Sequence, residues 1–96
     1  MKDNKIIAEF MGFTSEKNIG WYDNNMMMPQ SVYDSQDGNC FDDLLFDKSW
    51  DWLMPVMAEL VKRFGSGWIF EEGYDLNTRY DAVVKFIKQM EYKWKL

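Results

Sequence analysis

Five aspartates between residues 34 and 47 are the side chains whose type and spacing come nearest to a chemistry: Asp34, Asp37, Asp42, Asp43 and Asp47. Carboxylate oxygens are the ligands that Mg²⁺ and Ca²⁺ prefer, and a bound Mg²⁺ could assist phosphoryl transfer. The stretch DSQDGNCFDD departs, however, from the spacing of an EF-hand calcium loop and lacks the glutamate that closes that loop. We therefore predict no metal site, no cofactor and no catalytic residue.

The residue types needed for most enzyme mechanisms are missing from the chain. It contains no histidine, so the usual general base at neutral pH and the commonest metal ligand are absent, and Cys40 is its single cysteine. The sequence has no nucleophile–base pair, no glycine-rich phosphate loop and no dinucleotide fingerprint. We predict that the protein is not an enzyme.

Negative charge is concentrated in one segment of the chain. Residues 21–47 carry six aspartates and no Lys or Arg, a charge of −6, whereas the whole chain carries −5. Such a segment attracts basic protein surfaces and repels nucleic acid. We expect the partner to be a protein with a basic surface, with no direct DNA binding, and we assign Asp34, Asp37, Asp42, Asp43 and Asp47 to the contact. A simple solvated surface is the alternative.

Apolar side chains in the same segment are candidates for the rest of the contact: Trp21, Tyr22, Met26, Met27 and Met28. The first two and the last three read as short extended runs, and residues 23–25 could join them as a hairpin. Successive side chains of a strand point to opposite faces, so at least one methionine should meet solvent or a partner. The alternative is a strand buried on both faces.

The first helix is predicted to begin at Asp3 or Asn4 and to stop at Gly12, because Asp and Asn cap helix starts and Gly favours helix ends. Its apolar residues recur at helical spacing and form one stripe, which consists of Ile6, Ile7, Phe10 and Met11. Two turns of helix are marginal alone, so packing must stabilise them.

The stretch SWDWLMPVM opens the second predicted helix, from the N-cap Ser49 to the stop Gly65. Its predicted core stripe is Trp50, Leu53, Met54, Met57, Leu60, Val61 and Phe64. Trp50 should continue the core, and Trp52 should cover its flank or remain exposed. Pro55 lies past the first turn, so we expect a bend or a frayed first turn there.

A strand is predicted over residues 66–73, where Trp68 and Phe70 alternate with Ile69 and Glu71. A last helix follows, with Thr78 and Asp81 resembling a capping box. Its stripe is Tyr80, Val83, Val84, Ile87, Met90 and Trp94. The prediction is a single α+β domain over residues 1–96, with three helices packed on a short antiparallel β-sheet.

Three blocks of the chain resemble a group of small phage and prophage proteins. The blocks are NKIIAEFMG, SWDWLMPVM and YDAVVKFIK, and in the group they take the forms IAEFMG, SWDWLMPV and AVVEFIK. These proteins are similar to the phage α-β-α sandwich domain. The segment 21–47 is more acidic here than in the group, and the Tyr-His that often precedes the middle block is replaced by FDK. The resemblance implies a fold and a phage origin and transfers no catalytic residue.

The resemblance, together with the acidic segment, suggests an anti-defence role. Small acidic phage proteins without enzyme motifs often inhibit bacterial defence, as anti-CRISPR proteins do. The expected partner is then a CRISPR effector nuclease or its RNA complex, in the cytoplasm of the bacterial host cell. The chain has no apolar run long enough to span a membrane, and we expect no membrane contact. Alternatives are a sponge for a signalling nucleotide, a divalent-metal enzyme, and a phage accessory protein without inhibitory role.

Overall fold

The described part of the chain contains five helices and one three-stranded antiparallel sheet. The structure is a computed structural model and describes residues 3–16, 20–36, 38–65 and 75–94. In chain order the elements are α1 (Asn4–Phe10), β1 (Thr14–Glu16), β2 (Gly20–Tyr22), α2 (Gln30–Ser35), β3 (Cys40–Phe41), α3 (Trp50–Phe64), α4 (Leu76–Gln89) and α5 (Glu91–Trp94). The α+β class is confirmed. The three predicted helices correspond to α1, α3 and α4, while the predicted strand at 66–73 lies outside the described residues.

The sheet has the order β1-β2-β3, so β2 is its central strand. Trp21 of β2 lies opposite Ser15 on one side and Phe41 on the other. The predicted hairpin between residues 21–22 and residues 26–28 is therefore wrong. Residues 26–28 are not a strand, because Met26 has a positive φ of 51° and the backbone turns away from the sheet there.

Gly20 lets β2 approach β3 closely. Its φ is +125°, and a Cβ added to it would lie 2.6 Å from the carbonyl oxygen of Phe41. Gly38 has nearly the same φ, +123°, but a Cβ there would meet no atom within 4 Å. Substitution of either by alanine adds the same backbone strain, so Gly38→Ala is a matched control. We expect Gly20→Ala to destabilise the fold by about 1–3 kcal/mol more than Gly38→Ala, measured by urea denaturation. Equal losses would contradict the close approach.

The core lies where α1, α3 and α4 meet over the inner side of the sheet. α1 packs on α4, α3 packs on α4, and α2 packs on α3. Gly12 follows α1 with a φ of +82°, and so acts as the stop that the sequence predicted. The largest side chains that are almost fully buried are Trp52, Phe10, Phe41, Phe46, Ile7, Met11, Leu53, Leu60 and Ile87.

The core-facing side of α3 agrees with the predicted one only in part. Leu53 and Leu60 are buried, and Met57 and Phe64 pack against the core, as predicted. Trp52 is only 2% exposed, and its ring meets the rings of Phe41 and Phe46 edge-on at centroid distances of 4.8 and 5.1 Å. Trp50 is 39% exposed and Met54 is 54% exposed. The predicted roles of Trp50 and Trp52 are thus reversed, because two aromatic rings from the segment before the helix fill the side that Trp52 faces.

The N-termini of α3 and α4 show which of the predicted helix caps are used. α3 begins directly after Ser49, as predicted, although the Ser49 side chain makes no capping hydrogen bond, and the helix continues through Pro55. α4 is capped by Asp75, whose carboxylate accepts hydrogen bonds from the backbone N–H of Thr78 at 3.1 Å and its hydroxyl at 2.7 Å. The start predicted at Thr78 is three residues late, and these bonds hold the pKa of Asp75 below its usual value.

Candidate functional site

A fully buried carboxylate organises the turn that follows β2. Asp23 is 0% exposed, and its Oδ2 accepts hydrogen bonds from the hydroxyl of Tyr33 at 2.5 Å and from the backbone N–H groups of Met27 at 3.0 Å and Met28 at 3.2 Å. The hydroxyl oxygen of Tyr33 in turn accepts from the N–H of Met28 at 3.0 Å. We call residues 23–28 the Asp23 turn. Its buried charge is stabilised by several hydrogen bonds, as a desolvated carboxylate requires.

The Asp23 turn holds Met26 out into solvent. Met26 is 59% exposed and has a left-handed φ of 51°, a conformation that side-chain-bearing residues seldom adopt. Burial, and next the hydrogen bond to Asp23, raise the pKa of Tyr33 to about 12, so its hydroxyl remains a donor at neutral pH. The turn is therefore fixed from inside while it presents one apolar side chain outside.

The predicted acidic residues separate into exposed and buried groups. Asp34, Asp42 and Asp43 are exposed, and Asp37 lies outside the described residues. Asp42 follows β3 and lies beside Gly20, since its Oδ1 would be 3.6 Å from a Cβ added there. Three of the five predicted carboxylates are thus available to a partner.

Asp47 has a structural role and is not part of the candidate surface. It is only 9% exposed, and its Oδ1 accepts a hydrogen bond of 2.8 Å from the side-chain amide of Asn4. The same amide donates to the carbonyl of Leu44 at 2.8 Å, and its oxygen accepts from the hydroxyl of Tyr80 at 2.8 Å. Burial raises the pKa of Tyr80 to about 12. The prediction that Asp47 contacts a partner is corrected, because its carboxylate joins the segment before α3 to α1.

The predicted apolar contact residues also divide by burial. Met28 is 5% exposed, so its assignment to a partner surface is wrong. Trp21 and Met27 are half-buried and pack against the core, and Tyr22 is half-buried as well. Met26 alone among these five side chains is exposed, because the hydrogen bonds from Met27 and Met28 to Asp23 hold those two residues inward.

The structure adds a carboxylate that the sequence analysis did not assign to the surface. The exposed Asp51, in the first turn of α3, accepts a hydrogen bond from the hydroxyl of Ser31 at 3.2 Å. Ser31 and Asp34 are three residues apart on α2 and therefore neighbours on its surface. Asp34 and Asp51 thus lie on the same side of the molecule. Asp51 is the acidic residue of the SWDW stretch, but only the packing of α2 on α3 places it beside Ser31.

The exposed carboxylates have no cationic partner within the described ranges. The ion pairs there join Arg63 to Glu59 at 2.6 Å and Lys88 to Asp3 at 3.4 Å, and neither includes an aspartate of segment 21–47. In the same ranges no group of three or more His, Cys, Asp or Glu is placed to hold a metal ion. What the exposed carboxylates can do chemically is attract positive charge, and the exposed Met26 is available for apolar contact.

Comparison with known proteins gives no family for the chain. No protein-family model matches it, and no curated protein and no solved structure matches it either. Within the described residues, the structure contains no helix that combines the length and the apolar character needed to cross a membrane.

Proposed function

We propose that this chain is a non-enzymatic inhibitor of phage origin that binds a basic surface of a nucleic-acid-guided effector of its bacterial host, such as a CRISPR effector nuclease. One observation carries the proposal: Asp34, Asp42 and Asp43 are exposed and form no ion pair with any Lys or Arg of the described residues. The segment 21–47 contains no cation of its own. Uncompensated carboxylates attract cationic surfaces and accelerate association with them.

Inhibition would follow from competition with nucleic acid. Guide-dependent nucleases hold their heteroduplex in a positively charged channel, and the protein contacts its phosphate backbone there. A protein that presents several carboxylates occupies such a channel in place of phosphates. The exposed Met26 supplies an adaptable apolar contact in addition to the charge attraction.

The phage origin in this proposal rests on sequence. The blocks NKIIAEFMG, SWDWLMPVM and YDAVVKFIK resemble those of small phage and prophage proteins. Their side chains include core residues such as Ile7, Trp52 and Val83, so the shared blocks concern the fold more than the contact surface. The acidic segment is consequently the part in which a specific target would be encoded.

The test measures DNA cleavage by a purified, guide-loaded CRISPR effector nuclease of the host with increasing amounts of this protein. Wild type should inhibit, and Asp34→Lys combined with Asp42→Lys should weaken inhibition at least about tenfold, which corresponds to about 1.4 kcal/mol of binding. Binding should also weaken when ionic strength rises from about 0.1 M to about 1 M, because the Debye length falls from about 10 Å to about 3 Å.

The matched control is Glu9→Lys combined with Asp81→Lys. Both residues are exposed, and this pair changes the net charge by the same amount at positions outside segment 21–47. The control should inhibit like wild type. If both double variants lost inhibition equally, the effect would depend on net charge alone, which would contradict a specific acidic surface. Absence of inhibition by wild type across the host's effectors would overturn the proposal.

A further inference from the structure

α3 carries a row of apolar side chains of which the core covers only a part. Trp50, Met54 and Val61 are 39%, 54% and 38% exposed, and Met57, which lies between them, is half-buried and packs against the core. At about 100° per residue, these four side chains fall within an arc of about 60° on the helix. We call them the α3 stripe. Single exposed apolar residues are normal, but a contiguous row on one helix marks an interaction surface.

The charges beside the α3 stripe are arranged for a second copy of the same helix. Asp51 lies at the start of α3 and Lys62 near its end, and both are exposed. At about 100° per residue they fall on the same flank of the stripe, about 16 Å apart along the axis. A two-fold axis perpendicular to the helix reverses its direction and keeps the flank. It therefore brings Asp51 of each copy opposite Lys62 of the other.

The apolar positions follow nearly the same symmetry, with a two-fold axis about 1.5 Å along the helix from the one that relates the charges. When two copies of α3 pack antiparallel, Trp50 of one copy meets Val61 of the other, and Met54 meets Met57 of the other. Trp50 of each copy thus faces the smaller Val61 of the other, and every contact occurs twice, as in an isologous interface. The antiparallel arrangement also places the positive end of each helix dipole beside the negative end of the other.

We propose that the protein forms a two-fold symmetric dimer through antiparallel packing of the α3 stripe, with Asp51 and Lys62 paired across the interface. The stripe is short, so the interface belongs to the small class below about 1,200 Å² and the dissociation constant should be micromolar. This dimer does not depend on the proposed function. Asp42 and Asp43, which follow β3, lie outside the stripe, so the dimer presents two copies of them.

Sedimentation equilibrium over about 1–500 µM protein tests the dimer, a range that brackets a micromolar dissociation constant. The mass of wild type should rise from 11.5 kDa toward twice that value. Met54→Lys should remain monomeric, because it places a charge in the centre of the stripe. Met26→Lys is the matched control, since Met26 is 59% exposed and lies on the Asp23 turn, and it should dimerise like wild type. A wild type that stays monomeric throughout, or a Met54→Lys variant that dimerises normally, overturns the proposal.

A charge exchange tests the antiparallel orientation. Asp51→Lys or Lys62→Asp alone turns two opposed pairs into two repelling pairs, and should raise the dissociation constant by about 5- to 30-fold. The double variant restores opposite charges across the interface and should return to within about threefold of wild type. The two residues are too far apart on one helix to pair within a single chain. Failure of the double variant to recover would overturn the proposed orientation.

Discussion

Trp52→Ala is expected to lower the free energy of unfolding by about 3–5 kcal/mol, the usual loss when a buried aromatic side chain is removed. The indole is 2% exposed and meets the rings of Phe41 and Phe46 edge-on. Its removal leaves a cavity between α3 and the end of β3, which those two rings cannot fill. Because small domains have only about 5–15 kcal/mol of stability, the variant should be unfolded at low urea concentration by far-UV circular dichroism.

Trp50→Ala removes the same side chain from the same helix two residues earlier, and is the control. Trp50 is 39% exposed, so its loss should cost less than about 1 kcal/mol. Comparison at low protein concentration also avoids any contribution from self-association. A larger loss for Trp50→Ala than for Trp52→Ala would mean that α3 turns Trp50 rather than Trp52 toward the core, as the spacing of its apolar residues predicted.

Asp23→Ala is expected to cost about 3–4 kcal/mol, since hydrogen bonds to a charged group are strong and their buried donors are left without an acceptor. The substitution removes the acceptor of the N–H groups of Met27 and Met28 and of the Tyr33 hydroxyl. The Asp23 turn should then lose its shape and release Met26. Urea denaturation measures the stability, and limited proteolysis near residues 23–28 measures the turn.

Two control variants show how much of the stability lost in Asp23→Ala comes from hydrogen bonds. One removes the charge of Asp23 but keeps an acceptor oxygen, and the other removes an exposed aspartate elsewhere. Asp23→Asn retains one acceptor oxygen and should lose roughly half as much stability as Asp23→Ala. Asp34→Ala removes an exposed carboxylate that accepts one hydrogen bond from Gln30, and should change stability by less than about 0.5 kcal/mol. If Asp23→Ala were as stable as Asp34→Ala, the buried network would contribute nothing, which contradicts the geometry.

Helices α1, α3 and α4 were predictable because each combines apolar spacing with a flanking cap or glycine. Which side of α3 faces the core was not predictable, for a geometric reason. Its apolar residues, from Trp52 through Leu53 to Met54, span about 200° of the helix at about 100° per residue, wider than a core needs. Spacing therefore allows two buried sides. Phe41 and Phe46 decide between them, and their position depends on β3, which no local pattern specifies.

The negative charge of the candidate surface was predictable, but the residues that form the surface were only partly so. Exposed Asp34, Asp42 and Asp43 follow from an acidic segment without cations. Asp47 and Met28 do not belong to this surface. Residues that are distant in the sequence, or on the other side of a turn, bury them. The six residues of α2 have the polar composition of a turn, so neither the helix nor its contact with Asp51 could be expected.

Asn4 has a consequence for how the chain acquires its structure during synthesis. Its amide joins Leu44, Asp47 and Tyr80, which follow it by 40, 43 and 76 residues. At about 5–20 residues per second, the ribosome adds Tyr80 roughly 4 to 15 seconds after Asn4. Until then α1 has neither this hydrogen bond nor α4 to pack on. The first helix to be made is therefore among the last to become stable, and the nascent chain depends meanwhile on the contacts of its middle segment.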